Sequence, residues 1–242
     1  MVAYQIDPQW LRPLIVALSR AGKIEDAFKL CVERYRVEPT VETASVLIDA
    51  SIFSVDQYSV EPEVDQIILD SLTRFPMNYQ LLELAGTLRL FQQKYLEAFG
   101  LLIRSEKLAP QSLITLNNLA IVASEIPGRE QEGLARIEKA IELYGKTPDL
   151  LDTLGTVQLT CGLAAQAEIN LIASWKEKKE ARTLLHLIQS LQAQGKQAEL
   201  RERLKSFKLS GLQGVVLTTR EQKAVDSLRQ TNPDLLKSEE SL

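Results

Sequence analysis

Histidine is almost missing from this chain: His186 is the only one in 242 residues. A Ser–His–Asp or Cys–His arrangement therefore has a single ring to be built on, and a histidine-rich metal site is excluded. Cysteine is nearly as scarce. Cys31 and Cys161 lie 130 residues apart inside apolar helical patterns, so both read as small buried hydrophobes in a reducing compartment rather than as a disulfide or a metal site. The 11 glycines and 9 prolines are too few for a loop-rich or low-complexity chain. Nucleotide-binding glycine motifs are absent as well: there is no GxxxxGK[ST], and no GxGxxG follows a strand pattern. No apolar run approaches the ~20 residues that a membrane span needs. The opening residues MVAYQIDPQW lack a basic segment followed by an apolar one, so no signal peptide is expected and the expected setting is cytoplasmic. Positive charge is also in short supply. A net charge of −4 gives no basic face for nucleic acid or an anionic membrane.

What is present is helix. Leu, Ala, Glu, Gln, Lys and Arg dominate, β-branched alternation is nearly absent, and the class expected is all-α. The stretch LLELAGTLRLFQQKYLEAFGLLIRSEKLAP organises the rest. In it Leu82, Gly86, Ala98, Leu102, Ser105 and Pro110 follow one another at steps of 4, 12, 4, 3 and 5. Large and small residues in that order resemble the tetratricopeptide repeat (TPR), a 34-residue pair of antiparallel helices. With Gly86 at position 8 of the unit, Ala120 follows 34 residues later, and Leu151, Leu154, Gly155, Gly162, Ala167, Leu171 and Ser174 keep the same frame.

The resemblance runs from about Pro8 to Leu212 and gives units of approximately 8–41, 42–78, 79–112, 113–147, 148–180 and 181–212. Asp7–Pro8, Thr147–Pro148–Asp149 and Thr40 mark helix starts, and Gly22, Gly128, Gly162 and Gly195 mark turns. The second unit is about four residues long for its type, with a Ser/Asp loop from Ser54 to Ser59 before Pro62 restarts a helix. Residues 213–242 fall outside the repeat. Thr218-Thr219-Arg220-Glu221 reads as a capping box opening a helix over the last repeat, and a polar frayed tail follows Asn232. The fold expected is therefore an all-α, right-handed superhelical solenoid of about six helix pairs with a C-terminal capping helix, the handedness being what the resemblance implies. The sequence also looks like bacterial multi-repeat TPR proteins that are often much longer. A first repeat only seven residues from the start, with Trp10 near an open end, is what the C-terminal portion of such a protein would show.

No chemistry competes with a binding role, so the chain is expected not to be an enzyme and to hold no cofactor and no metal. His186 sits between Leu185 and Leu187 and reads as groove-facing or partly packed. Asp149 and Asp152 share a face of a helix's first turn, where acids complement the helix dipole. Lys176 to Glu180 reads as a solvated inter-repeat loop.

In TPR proteins the ligand usually lies along the first helices, and the resemblance carries that groove onto this chain. It falls on Asp49 and Phe53 of the second unit, then Glu83, Thr87, Leu90 and Phe91 of the third. It continues with Asn117, Asn118 and Ile121 of the fourth unit and Asp152 and Thr156 of the fifth. Phe53, Leu90, Phe91 and Ile121 are expected to expose apolar surface beside acids. Asn118 occupies a position where such repeats bond a peptide backbone. The clamp that grips chaperone tails by their terminal carboxylate would need lysines and arginines where this chain has Glu83, Thr87, Asp149 and Thr153, and it is absent. An acidic groove implies a protein partner, an extended or helical segment with apolar anchors and some basic residues. Two other readings stand beside it. ALSRAGKIEDAFKLCVERY in the first unit also resembles the pentatricopeptide repeat, which reads single-stranded RNA along a basic groove. Self-association through the N-terminal end is the other.

Overall fold

The computed structural model describes residues 8–53 and 62–232. Among them are thirteen α-helices, one 3₁₀ turn and no strand. The chain divides into two compact units, Met1–Pro110 and Gln111–Leu242.

The first unit holds α1 (Pro8–Arg20), α2 (Ile24–Val37), α3 (Val41–Phe53), α4 (Pro62–Arg74), α5 (Tyr79–Phe91) and α6 (Tyr95–Leu108). These are the helix pairs that the 34-residue spacing predicts. Asn78 caps α5 by accepting the Leu81 amide, so the chain turns helical one residue after it. The core is a single cluster that includes Phe28, Cys31, Leu47, Ile48, Ile68, Leu82 and Leu88. Charge crosses it at Arg89, which is only 6% exposed. Its guanidinium meets Asp65 of α4 at 2.8 Å and Glu97 of α6 at 3.1 Å, and so joins three helices. Asp7, the Ser54–Ser59 loop and the tail beyond Asn232 lie outside the described residues.

The second unit holds α7 (Leu113–Glu125), α8 (Glu130–Tyr144), α9 (Pro148–Thr160), α10 (Ala164–Glu177), α11 (Ala181–Ala193), α12 (Gln197–Ser206), a 3₁₀ turn (Leu209–Leu212) and α13 (Thr219–Thr231). Thr147 accepts the Leu150 amide and Pro148 takes the first helical position, where a missing N–H costs nothing. At the end of the chain the capping box forms as its sequence predicts. Thr218 accepts the Glu221 amide, and the Glu221 carboxylate accepts the Thr218 amide.

The repeat shows itself in the hydrogen bonds as well as in the packing. Ser105 donates to the Tyr79 carbonyl at 3.1 Å, and Ser174 donates to the Pro148 carbonyl at 2.8 Å. Both serines sit at the same position of their units, 26 residues after the carbonyl they satisfy. Small residues do what the frame demands of them. A Cβ on Gly86 would come within 2.6 Å of Leu102 Cγ, and one on Gly155 within 2.5 Å of Leu171 Cγ. Leu102 and Leu171 are fully buried because those glycines leave them room.

Three expectations need correction. Leu90 is only 5% exposed, so it belongs to the packed side of α5 and offers no apolar surface. Glu83, at 8%, is likewise buried and is not groove lining in the open. Cys31 is buried, but Cys161 is half-buried at the end of α9.

Candidate functional site

The first helices of the fourth, fifth and sixth repeats, α7, α9 and α11, share a face. Their residues line a cavity of about 180 Å³, with Asn117, Ile121, Ser124 and Glu125 from α7. Asp149, Asp152, Thr153 and Thr156 come from α9, Arg182 and His186 from α11 with Glu180 beside it, and Glu221 from α13 with its cap Thr218. Helical spacing explains the set: Asp149, Asp152, Thr153 and Thr156 recur at three and four residues and lie on one side of α9.

His186 is the centre of this arrangement. Only 2% exposed, it is held at both ring nitrogens. Nδ1 lies 2.9 Å from Asp152 Oδ1 and 3.1 Å from the Thr156 hydroxyl. Nε2 lies 2.7 Å from Glu221 Oε1. Arg182 adds a second cation, donating from Nε at 2.7 Å and from Nη2 at 3.0 Å to the two oxygens of Glu221. Burial alone pulls an imidazole's pKa down. Here the charges and hydrogen bonds of Asp152 and Glu221 more than offset it and raise His186 to about 9. It is an imidazolium at neutral pH. Burial works to raise the Glu221 carboxyl, yet His186 and Arg182 hold it well below the usual carboxylate range. Glu125, whose side chain is 4% exposed, is pushed up by burial against the weaker pull of a Thr218 hydrogen bond and of Arg220, 3.8 Å away.

The sequence-predicted residues divide in two. Asn117, Ile121, Asp152 and Thr156 come together in the cavity. Asn118 is not among its lining residues, and the asparagine that faces it is Asn117, whose buried Oδ1 has no hydrogen-bond partner. Asp152, read from sequence as a dipole partner, bonds the His186 ring instead, while Asp149 pairs with Lys178 at 2.9 Å. Asp49, Glu83, Thr87, Leu90 and Phe91 belong to the first unit. There burial raises the Asp49 carboxyl despite its ion pair with Arg12, and Thr87 donates to the Glu83 carbonyl. The side chain of Phe53 lies outside the described residues. What the sequence reading missed is Glu221. Its capping-box spacing was visible, but not its second task of closing on His186, 35 residues away.

Among the described residues no group of three or more His, Cys, Asp or Glu is placed to hold a metal ion. Asp152 and Glu221 sit on opposite ring nitrogens of His186 and so do not converge on a common point. Among the same residues no helix is long and apolar enough to cross a membrane.

By sequence the chain matches no family model and no curated protein. By structure it is similar to several solved proteins. PilF of Pseudomonas aeruginosa aligns over 94% of this chain and 92% of its own at 16% identity, with a TM-score of 0.60. TTC0263, a thermophilic TPR protein of Thermus thermophilus, aligns over 77% of this chain and 98% of its own, at 16% identity and a TM-score of 0.57. MamA of Desulfovibrio magneticus RS-1 aligns over 71% of this chain and 95% of its own at 16% identity, again with a TM-score of 0.57. Helix pairs of about 34 residues, glycines at the helix crossings and these structural relatives lead to one conclusion: the fold of this chain is the all-α helical repeat of the tetratricopeptide-repeat proteins.

Proposed function

We propose that this chain is a noncatalytic scaffold that holds a helical or extended segment of another protein on the first helices of its repeats. The observation that carries the reading is the α7–α9–α11 face, where three successive repeats contribute side chains of both charges and an apolar residue, Ile121, to one partly open cavity. A segment laid across consecutive repeats meets each in turn, which is how repeat arrays make a specific surface from modest local contacts. Asn117 supports it further, because its unpartnered Oδ1 offers an acceptor to a ligand N–H. Asp49, Phe53, Thr87 and Phe91 are proposed as a contact set of the first unit, and Asn118 as a flanking contact in the second. The acids in both sets favour a partner with apolar anchors and basic residues.

Catalysis has little to work with. His186 is an imidazolium whose two N–H groups are both committed to carboxylates, so it has no free nitrogen to take a proton from a substrate. Burial pushes the Cys31 thiol up to about 12, which keeps it from acting as a thiolate nucleophile. Free rather than bridged, Cys31 and Cys161 support a cytoplasmic setting.

Affinity capture from a native lysate with the wild type, Ile121→Asp and Phe91→Asp tests the assignment, with melting temperature as the control for folding. Loss of the captured proteins in either folded variant supports it. Capture of the same proteins by all three chains would show that the ligand binds elsewhere.

A further inference from the structure

The candidate ligand face of the second unit is already occupied, and the occupant is the chain's own last helix. The first turn of α13 is seated there by polar contacts. Glu221, its side chain 3% exposed, accepts hydrogen bonds from His186, from two nitrogens of Arg182 and from its own Thr218 amide at 2.7 Å. One residue earlier Arg220 stands 3.8 Å from Glu125 of α7. Open volume remains beside this turn, in the 180 Å³ cavity and in a second of about 320 Å³ lined by Leu159, Gln189 and Lys223 among others. Both are bounded by Glu125, Thr156, Thr218 and Glu221, so the turn sits inside a longer groove without filling it.

Beyond that turn few side chains of α13 are buried. Of its apolar side chains Val225 and Leu228 are buried, at 2% and 1%, against the α11 cluster. Most of its other residues are polar and exposed. Residues 213–217, which lead into it, belong to no helix, and Gly214 turns the chain with φ +72°. Charge-assisted bonds to Arg182 and His186 are equally available to any carboxylate that reaches them in the same orientation.

The geometry points to α13 as a displaceable internal ligand: the α7–α9–α11 face is a receptor for the first turn of a helix that carries an acid at its third residue and a base just before it. A partner helix of that chemistry would take the place of Thr218, Arg220 and Glu221, with its acid on Arg182 and His186 and its base on Glu125. The inference rests on the scaffold reading above and names the partner's chemistry and the step that admits it.

The test uses the full chain and a fluorescent peptide spanning Val216–Asn232 of the same sequence. Three chains are titrated: wild type, Glu221→Gln, and Glu221→Gln/Val225→Asp. Release of α13 should make the double variant bind the peptide at least tenfold more tightly than the wild type. A peptide with Gln in place of its own Glu221 should lose at least tenfold on that same chain. Hydrogen exchange gives an independent reading, with α13 amides in the wild type opening at least tenfold more readily than those of α9 and α11. Should the double variant fail to fold, Glu221→Gln alone decides by whether exchange accelerates in α13 selectively. Opening of α13 only together with α9 and α11, or failure of a folded variant to bind the peptide, overturns the inference. A partner captured equally by the wild type and by Glu221→Gln also overturns it and leaves the scaffold reading standing. Peptide binding to the released chain with no partner captured by any of the chains supports it and counts against the scaffold reading instead.

Discussion

The guanidinium of Arg182 and the carboxylate of Glu221 meet through two hydrogen bonds, 2.7 Å at Nε and 3.0 Å at Nη2, between helices 39 residues apart in sequence. The fork matches both oxygens at once, while His186 Nε2 donates a further bond to one of them at 2.7 Å. Two cations and one buried carboxylate would be unbalanced, and Asp152, on the far ring nitrogen of His186, restores the balance. Local capping, a long-range ion pair and an imidazolium thus depend on one side chain.

Glu221→Gln removes the charge and leaves the size. His186 and Arg182 then lose the carboxylate that compensates them in a buried site, a situation that typically costs ~3–5 kcal/mol. Part of that is recovered if α13 swings away and lets water reach Arg182. The expected outcome is a lower melting temperature together with selective loss of protection in α13. A variant whose melting point stays within a degree of the wild type would contradict the account.

Arg182→Lys separates charge from geometry. Lysine keeps the cation but cannot span both oxygens of Glu221, and its ammonium is more strongly hydrated. The change should cost ~1–2 kcal/mol, roughly one charge-assisted hydrogen bond, and less than Glu221→Gln. Equal effects from the two substitutions would mean that the fork has no special part.

The docking should also depend on pH. His186 titrates at about 9 when folded against an ordinary 6.5, so its contribution is fully present below 6.5 and is lost as pH rises through 9. That range corresponds to on the order of 3 kcal/mol at ~1.36 kcal/mol per unit. Glu221 has the opposite sign: with its folded value depressed, its contribution is present above the ordinary 4.5 and fades as pH falls below it. Glu125 on α7, raised by burial, opposes Glu221 on the acid side, while Arg182, raised despite burial by Glu221 beside it, stays charged throughout. Thermal melts at pH 6, 8 and 9.5 should show stability falling steadily, and His186→Gln should flatten that fall. An unchanged slope in the variant would assign it to other groups.

Much of the fold is legible in the sequence because its signals are local. Thr147–Pro148 and Thr218 with Glu221 start helices within a few residues of themselves, and the predicted starts agree with the structure. Gly86 and Gly155 are readable for a different reason. A 34-residue period repeats the demand for a small residue, so each occurrence supports the other. The site was less legible. Repeat position alone places Leu90 on the ligand side, yet the side chain is drawn into the packing. His186, between two leucines, gives no sign in sequence that two carboxylates reach it. Glu221 is recognisable as a cap by its spacing to Thr218, but nothing local records that the same oxygens also reach α11. Pairings of 34 and 35 residues between separate helices arise from their stacking and leave no motif.

Glycine at the helix crossings gives the last prediction, and its size depends on what stands opposite. On Gly155 a Cβ would meet Leu171 Cγ at 2.5 Å and Cδ2 at 2.7 Å, so a fully buried side chain would have to shift. On Gly133 a Cβ would come within 2.7 Å of the Ala120 carbonyl oxygen, which belongs to the backbone of α7. A leucine can change rotamer at a cost of ~1 kcal/mol, whereas moving a carbonyl means shifting a whole helix. Alanine also has ~1 kcal/mol better helix propensity than glycine, which offsets part of either clash. Both substitutions should therefore destabilise within the ~1–3 kcal/mol range for an overpacked core, Gly133→Ala the more. Urea unfolding of the two variants compares them directly. If Gly155→Ala proved the more damaging, Leu171 would have to be locked by its neighbours in α9 and α10, and the crossing would be set by side-chain packing rather than by backbone contact.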